Sequence, residues 1–205
     1  MISDEISEVI DEAVAALQRG GVVIFPTDTV MGLGVDAMNE AAVSRLFEIK
    51  QRENNNPLPV LLPNESTLFA FALDANSVAR DLAQRFWPGG LTIVLNADPK
   101  LANSIQSTKG TVGFRVPDHP VTLELLRRFG GPITGTSANL SGDQAPSDSD
   151  GLDSRLVDRV DIVIPGAGSP DALPSTVVDC TATPPRVARN GAIPTFEILS
   201  VIQKH

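Results

Sequence analysis

Apolar side chains at Ile2, Ile6, Val9, Ile10, Ala13, Val14 and Leu17 return every three or four positions, which predicts an amphipathic helix. Ser3 can cap it, Asp4 and Glu5 suit its first turn, and Gly20-Gly21 end it. GVVIF at 21–25 then reads as a buried strand stopped by Pro26. A second helix is predicted from Ala41 to Lys50, capped by Asn39, with Val43, Leu46, Phe47 and Ile49 facing inward. LPVLL at 58–62 is a short strand that Pro59 pushes towards an edge or an irregular start. Two helices follow, over 65–73 and 77–86, capped by Asn64 and Asn76.

WPGG at 87–90 reads as a turn, LTIVL at 91–95 as a strand, and GTVGFRVP at 110–117 as another strand. Pro120 suits the first turn of a helix over 120–129 that buries Leu123, Leu126 and Phe129. PITGTSANLSG at 132–142 starts as a strand and opens into a polar loop, and residues 143–151 are expected to be mobile. A short helix at 152–159 and the strand DIVIP at 161–165 come next. STVVDC at 175–180 and RVARNG at 186–191 form the arms of a hairpin-like pair, and FEILSVI is a last apolar run. Strands and helices alternate irregularly, with several strands close enough to pair antiparallel. The expectation is one α/β domain over 1–205, built on a mixed parallel and antiparallel sheet.

Composition narrows the chemistry. With 16 Lys+Arg against 25 Asp+Glu, the formal charge is -9, which disfavours nonspecific binding to nucleic acid or an anionic membrane. One cysteine, Cys180, excludes an intrachain disulfide and a Cys-rich zinc site. The acidic start is unlike a signal peptide, and no apolar run approaches the roughly 18 residues of a membrane helix. The expected compartment is the cytoplasm. His205 is the last residue, so His119 stands alone and a His-rich metal site is not expected. HExxH, GxxxxGK[ST] and GxGxxG are absent, which argues against zinc hydrolases, P-loop enzymes and Rossmann dehydrogenases.

Several polar segments remain. PTDTVMGLG at 26–34 can present hydroxyls and a carboxylate at a strand end, although spacing alone is met by a plain strand-exit turn. Lys50 and Arg52 end a helix, where they either complement its negative end or, with the Asn54-Asn55-Asn56 loop, clamp a phosphate. Arg115 lies in an apolar strand on the same face as Gly113 and Thr111, either exposed or paired with a ligand. Ser137, Asn139 and Ser141 follow a strand, but a serine nucleophile is disfavoured without GxSxG. Ser175 starts a strand and Arg189 ends one. Four cations at element ends in an acidic chain point to an anionic substrate.

PTDTVMGLG, K-x-R, NNPLPVLL, FWPGGLTIVL, VGFRVP, TSANLSG, STVVD and RVARNGAIP occur in an order that resembles the threonylcarbamoyl-AMP synthase family, the Sua5/YciO/YrdC proteins. The resemblance covers roughly residues 10–194. It implies a single domain with a twisted mixed sheet flanked by helices and a large concave, positively lined cavity, in the family's short form. It also implies a nucleotidyltransferase that makes L-threonylcarbamoyladenylate and pyrophosphate from L-threonine, bicarbonate and ATP. That product serves the adenine next to the anticodon in tRNAs reading codons that begin with A, through downstream tRNA threonylcarbamoyl transferase proteins.

Carried over by resemblance, Lys50, Arg52, Asn56, Thr111, Ser137, Asn139 and Arg189 face the nucleotide. Thr29, Arg115, Gly135 and Ser175 face threonine, and Lys50 and Arg52 are the catalytic pair. Magnesium is expected on the ATP phosphates, with no metal held by the protein. The chain departs from the family at Met31, Glu53 and Leu61, where tyrosine, proline and histidine are usual. Two other readings stay open: an RNA-binding or maturation factor of the same superfamily, and a carbamoyl-adenylate enzyme acting on another amine.

Overall fold

The computed structural model describes residues 2–51, 57–169 and 173–205. Helix α1 (Asp4–Gln18) is capped by Ser3, whose hydroxyl accepts from the Ile6 N–H, and buries Ile10, Ala13, Ala16 and Leu17. Strand β1 (Val23–Phe25) is wholly buried. It turns back through residues 26–31 into β2 (Gly32–Gly34), with Phe25 opposite Gly32. Helix α2 (Glu40–Lys50) is capped by the Asn39 side chain. Asn64 caps a 3-10 turn that leads into α3 (Leu68–Phe71), and Asn76 caps α4 (Ser77–Phe86). Each cap accepts from an N–H that has no partner inside its helix.

Strands β3 (Val60–Leu61), β4 (Leu91–Asn96) and β5 (Thr111–Arg115) precede α5 (Pro120–Phe129), which has its proline in the first turn. The two-residue strands β6 (Ile133–Thr134) and β7 (Thr136–Ser137) flank Gly135. After α6 (Ser154–Val157) come β8 (Ile162–Val163), β9 (Thr176–Asp179), β10 (Arg186–Arg189) and α7 (Thr195–Ile202). Among the described residues no helix is long and apolar enough to cross a membrane.

The strands sort into two mixed sheets rather than one: β7-β2-β1-β8 and β10-β9-β4-β5-β3-β6. The pairs β1/β8, β3/β5 and β4/β9 are parallel, and the others antiparallel. The sheets meet at residues 133–137, where β6 pairs with β3 in one sheet and β7 with β2 in the other. The join is tied by the Thr134 N–H to the Val35 carbonyl at 2.9 Å and by the Val35 N–H to Thr134 Oγ1 at 3.0 Å.

Alternation then divides the faces of the larger sheet. Ile93, Leu95, Val112 and Phe114 point into the main core, which also holds Val78, Leu82, Ile198 and Val201 from α4 and α7. Thr111, Gly113 and Arg115 point the other way and stay half-buried. A smaller core unites α1, α5, Val23, Phe25 and Leu61. One face of the larger sheet therefore packs into the main core, and the other, half-buried face runs up to the join between the sheets.

Candidate functional site

At that join lies a cavity of about 80 Å³, lined by Thr29, Met31, Leu61, Arg115, Gly135 and Ser137 among others. A single water needs ~10–15 Å³ of such space, so the cavity has room for a small molecule. Its floor is the β1–β2 connection, and that segment is held from within. Thr27 Oγ1 donates to the Val30 carbonyl at 2.7 Å, accepts from the Thr29 N–H at 3.2 Å and lies 3.0 Å from Thr29 Oγ1. Thr27 is buried by this work, whereas Thr29 is half-buried and reaches the cavity. Met31 and Leu61, where the resemblance leads one to expect tyrosine and histidine, are buried apolar walls. Gly135 cannot be replaced cheaply: a Cβ there would stand 2.7 Å from the Leu61 side chain.

Arg115 ends β5 with its side chain only 11% exposed. Nε donates to the Gly89 carbonyl at 2.9 Å, and Nη2 donates to Asp28 Oδ2 at 2.5 Å. A guanidinium has five N–H donors, so three remain for something else. The turn WPGG thus has a role that its sequence hides. Gly89 has φ +155, and a Cβ there would lie 2.8 Å from the Phe86 carbonyl, so only glycine presents this carbonyl without strain. Asp28, seen in the sequence only as part of a polar segment, is the carboxylate that orients the arginine.

Lys50 is buried rather than splayed at a helix end. Its ammonium donates to the backbone carbonyls of Ser137 (2.5 Å) and Asn139 (2.7 Å), which joins α2 to the Ser-x-Asn segment. The helix end is clamped from outside as well. Arg159 donates to the Glu48 and Ile49 carbonyls at 3.2 and 3.0 Å, and Ser141 donates to the Lys50 carbonyl through both N–H (3.1 Å) and hydroxyl (2.9 Å). These bonds satisfy carbonyls that a helix end leaves open. Gln51 then turns the chain in a left-handed conformation, φ 52. The Ser137 hydroxyl donates to Asn139 Oδ1, and the Asn139 amide donates to the Leu140 and Asp143 carbonyls, both at 2.8 Å. Arg52 and Asn56 lie outside the described residues.

A second polar group lies on the β9–β4 side. Ser175 Oγ is 2.8 Å from Thr92 Oγ1, and Arg189 donates to the Ser175 carbonyl (2.9 and 3.2 Å) and hydroxyl (3.1 Å). Thr92 leans over Gly113, where a Cβ would meet its methyl at 2.8 Å, so these residues share the half-buried face with Arg115. Thr111 shares the face too, but four residues along the strand, about 13 Å from Arg115 at ~3.3 Å per residue. Its hydroxyl lies 2.7 Å from Ser107 Oγ. The structure therefore brings Thr29, Arg115, Gly135 and Ser137 to one cavity and joins Lys50 with Ser137 and Asn139. It pairs Ser175 with Arg189 and leaves Thr111 at the far end.

Residues 143–151 are not the free loop that composition suggests. The Pro146 carbonyl accepts from the Met31 N–H at 2.9 Å, the Ser147 carbonyl from Gly168 at 2.6 Å, and the Ser149 N–H donates to Gly166 at 2.9 Å. The segment is stitched to the cavity floor by backbone bonds, which residue type does not reveal. His119 is half-buried, and burial lowers its pKa against the opposing pull of Asp28 and Asp118. Burial pushes the Cys180 thiol up to about 12, which removes it as a nucleophile.

The Sua5/YciO/YrdC family model, described as "Telomere recombination", matches residues 15–191. A Mycobacterium tuberculosis relative is 38% identical over 190 residues, 93% of this chain and 87% of its own. The threonylcarbamoyl-AMP synthase of Bacillus subtilis is 38% identical over 205 residues, 98% of this chain and 59% of the relative. The crystal structure of Pyrococcus abyssi Sua5 complexed with L-threonine superposes with a TM-score of 0.86 at 36% identity, covering 94% of this chain and 57% of that one. This chain thus spans less than two thirds of the Bacillus and Pyrococcus proteins.

Proposed function

This chain belongs to the Sua5/YciO/YrdC family, and from that premise we propose that it is an L-threonylcarbamoyladenylate synthase. The observation that carries the reading is Arg115, a guanidinium held by Gly89 and Asp28 with donors left over beside a small cavity. Its planar fork matches a carboxylate. The carboxylate is that of threonine, with Thr29, Gly135 and Ser175 on the same substrate's side. ATP lies towards Lys50, Arg52, Asn56, Thr111, Ser137, Asn139 and Arg189.

The reaction asks little of acids and bases. Threonine's amine and bicarbonate give a carbamate with loss of water. A carbamate oxygen attacks the α-phosphorus of ATP, the bond from that phosphorus to the bridging oxygen breaks, and pyrophosphate leaves. Negative charge spreads over the phosphoryl oxygens, so fixed cations and orientation supply the catalysis. Lys50 contributes by fixing the Ser-x-Asn segment through its carbonyls, and Arg52 supplies positive charge at the phosphates. Magnesium arrives on the phosphates of ATP. The chain acts as one domain in the cytoplasm, and its product goes to the transferase proteins that modify tRNA.

The test is pyrophosphate release from ATP, measured with and without threonine and bicarbonate, with mass spectrometry of the product. Release that needs both substrates and yields threonylcarbamoyl-AMP is expected. Release that ignores threonine overturns the assignment.

A further inference from the structure

Asp28 has one ion-pair partner among the described residues, Arg115, at 2.5 Å. Both side chains are largely withdrawn from water, at 17% and 11% exposure, so the pair is worth more than a surface contact. The second carboxylate oxygen, Asp28 Oδ1, is buried and has no hydrogen-bond partner among the described residues, a condition it shares with His119 Nδ1. A buried carboxylate with one oxygen unsatisfied is not there for stability, because a neutral side chain of that size would avoid the desolvation. His119 does not neutralise it, since burial lowers the imidazole's pKa and favours the uncharged ring. Arg115 is thus the one ion-paired partner of Asp28 among the described residues.

The geometry at Arg115 shows what that direction achieves. Nε is occupied by the Gly89 carbonyl and one Nη2 hydrogen by Asp28. Two fixed bonds on different nitrogens define the plane of the guanidinium and stop its rotation. The hydrogens left over belong to Nη1 and Nη2, and Arg115 lines the cavity. A fork held in one plane has already lost the rotamer freedom that binding would otherwise remove.

We infer that Asp28 is a positioning residue for recognition of the substrate's carboxylate: it locks the Arg115 fork so that the remaining N–H groups meet the two carboxylate oxygens together. This deepens the proposed function and rests on its assignment of threonine to the Arg115 cavity. Asp28 touches no substrate. It acts on one functional group of one substrate, through one side chain, so its removal affects only ligands that carry that group.

The experiment compares two ligands by titration calorimetry or ligand-observed NMR: L-threonine, and L-threoninol, in which the carboxylate is reduced to an alcohol. Wild-type protein should bind threonine more tightly than threoninol. Asp28→Asn keeps the shape and removes the charge, and it should weaken threonine by roughly 10- to 100-fold while leaving threoninol unchanged. Asp28→Glu, which keeps the charge but displaces it by a methylene, is the second variant should the first fail to fold. It should also lose threonine and spare threoninol. Equal loss of both ligands would make Asp28 a structural residue or an amine contact, and unchanged threonine affinity would remove it from recognition. Either result overturns the inference. If wild-type protein binds threonine and only the variants behave wrongly, the inference alone falls. If wild-type protein binds no threonine, the proposed function falls first.

Discussion

Two partly buried arginines in this molecule are paired with carboxylates, and they differ in what is left over. Arg128, at the corner where α5 meets α1, donates to Glu124, to Asp11 and to both the carbonyl and hydroxyl of Ser7. Four bonds on five donors leave it almost saturated. Arg115, where the two sheets join, makes two bonds and faces a cavity. At the α1–α5 corner four of the five Arg128 donors are answered within the fold, which is the condition for a structural network. At the sheet join three N–H groups and a carboxylate oxygen are unanswered among the described residues. Burial and charge do not separate these regions. Unused hydrogen-bonding capacity does, and it marks the site.

Truncating the two arginines should have opposite consequences. Arg115→Ala should lower kcat/KM for threonine by on the order of 100-fold or more, from two charge-assisted bonds at ~1.5–3 kcal/mol each. Arg128→Ala should leave the kinetics intact and lower the melting temperature, on the order of 2–4 °C for each kcal/mol lost. Steady-state kinetics and thermal melts of both variants check this, and a kinetic loss at Arg128 would erase the distinction.

A smaller effect separates the regions by pH. The bonds from Arg127 and Arg128 lower the Glu124 pKa from 4.5 to about 2. A carboxylate whose folded pKa is depressed stabilises the fold above its unfolded pKa and loses that contribution as pH falls towards the folded value. Part of the stability should therefore disappear between about pH 4.5 and 2, and Glu124→Gln should flatten that part of the profile. Chemical denaturation across this window measures it. A Glu124→Gln profile as steep as wild type would show that the network contributes nothing.

Much of the frame was legible in the chain. Pro120 marks α5 over its observed range, although the helix buries Thr122, Leu125 and Leu126 and leaves Leu123 and Phe129 half-buried, and Ser3, Asn39, Asn64 and Asn76 all cap as their residue types suggest. The alternation in TVGFR places Arg115 opposite Phe114 and Val112, as observed. STVVD and RVAR pair as a hairpin with a register shift near Arg189. What the chain hides is non-local. GLG has no β propensity of its own and becomes β2 only by pairing with β1 and β7. The division into two sheets depends on Gly135 lying between strands of two residues each. Asp28 meets Arg115 across 87 positions, and Arg159 reaches the end of α2 across 110. No local spacing reveals either. The polar composition of residues 143–151 suggests mobility because backbone bonds to Met31, Gly166 and Gly168 leave no trace in residue type.

If Arg115 reads a carboxylate with a fixed fork, Arg115→Lys should damage threonine binding selectively. Lysine keeps the charge and most of the stem but replaces the planar fork with a point charge. The KM for threonine and the KM for ATP are measured in the same variant. A rise for threonine that clearly exceeds the rise for ATP is the predicted result. An equal rise for both substrates, or wild-type values for both, would contradict it.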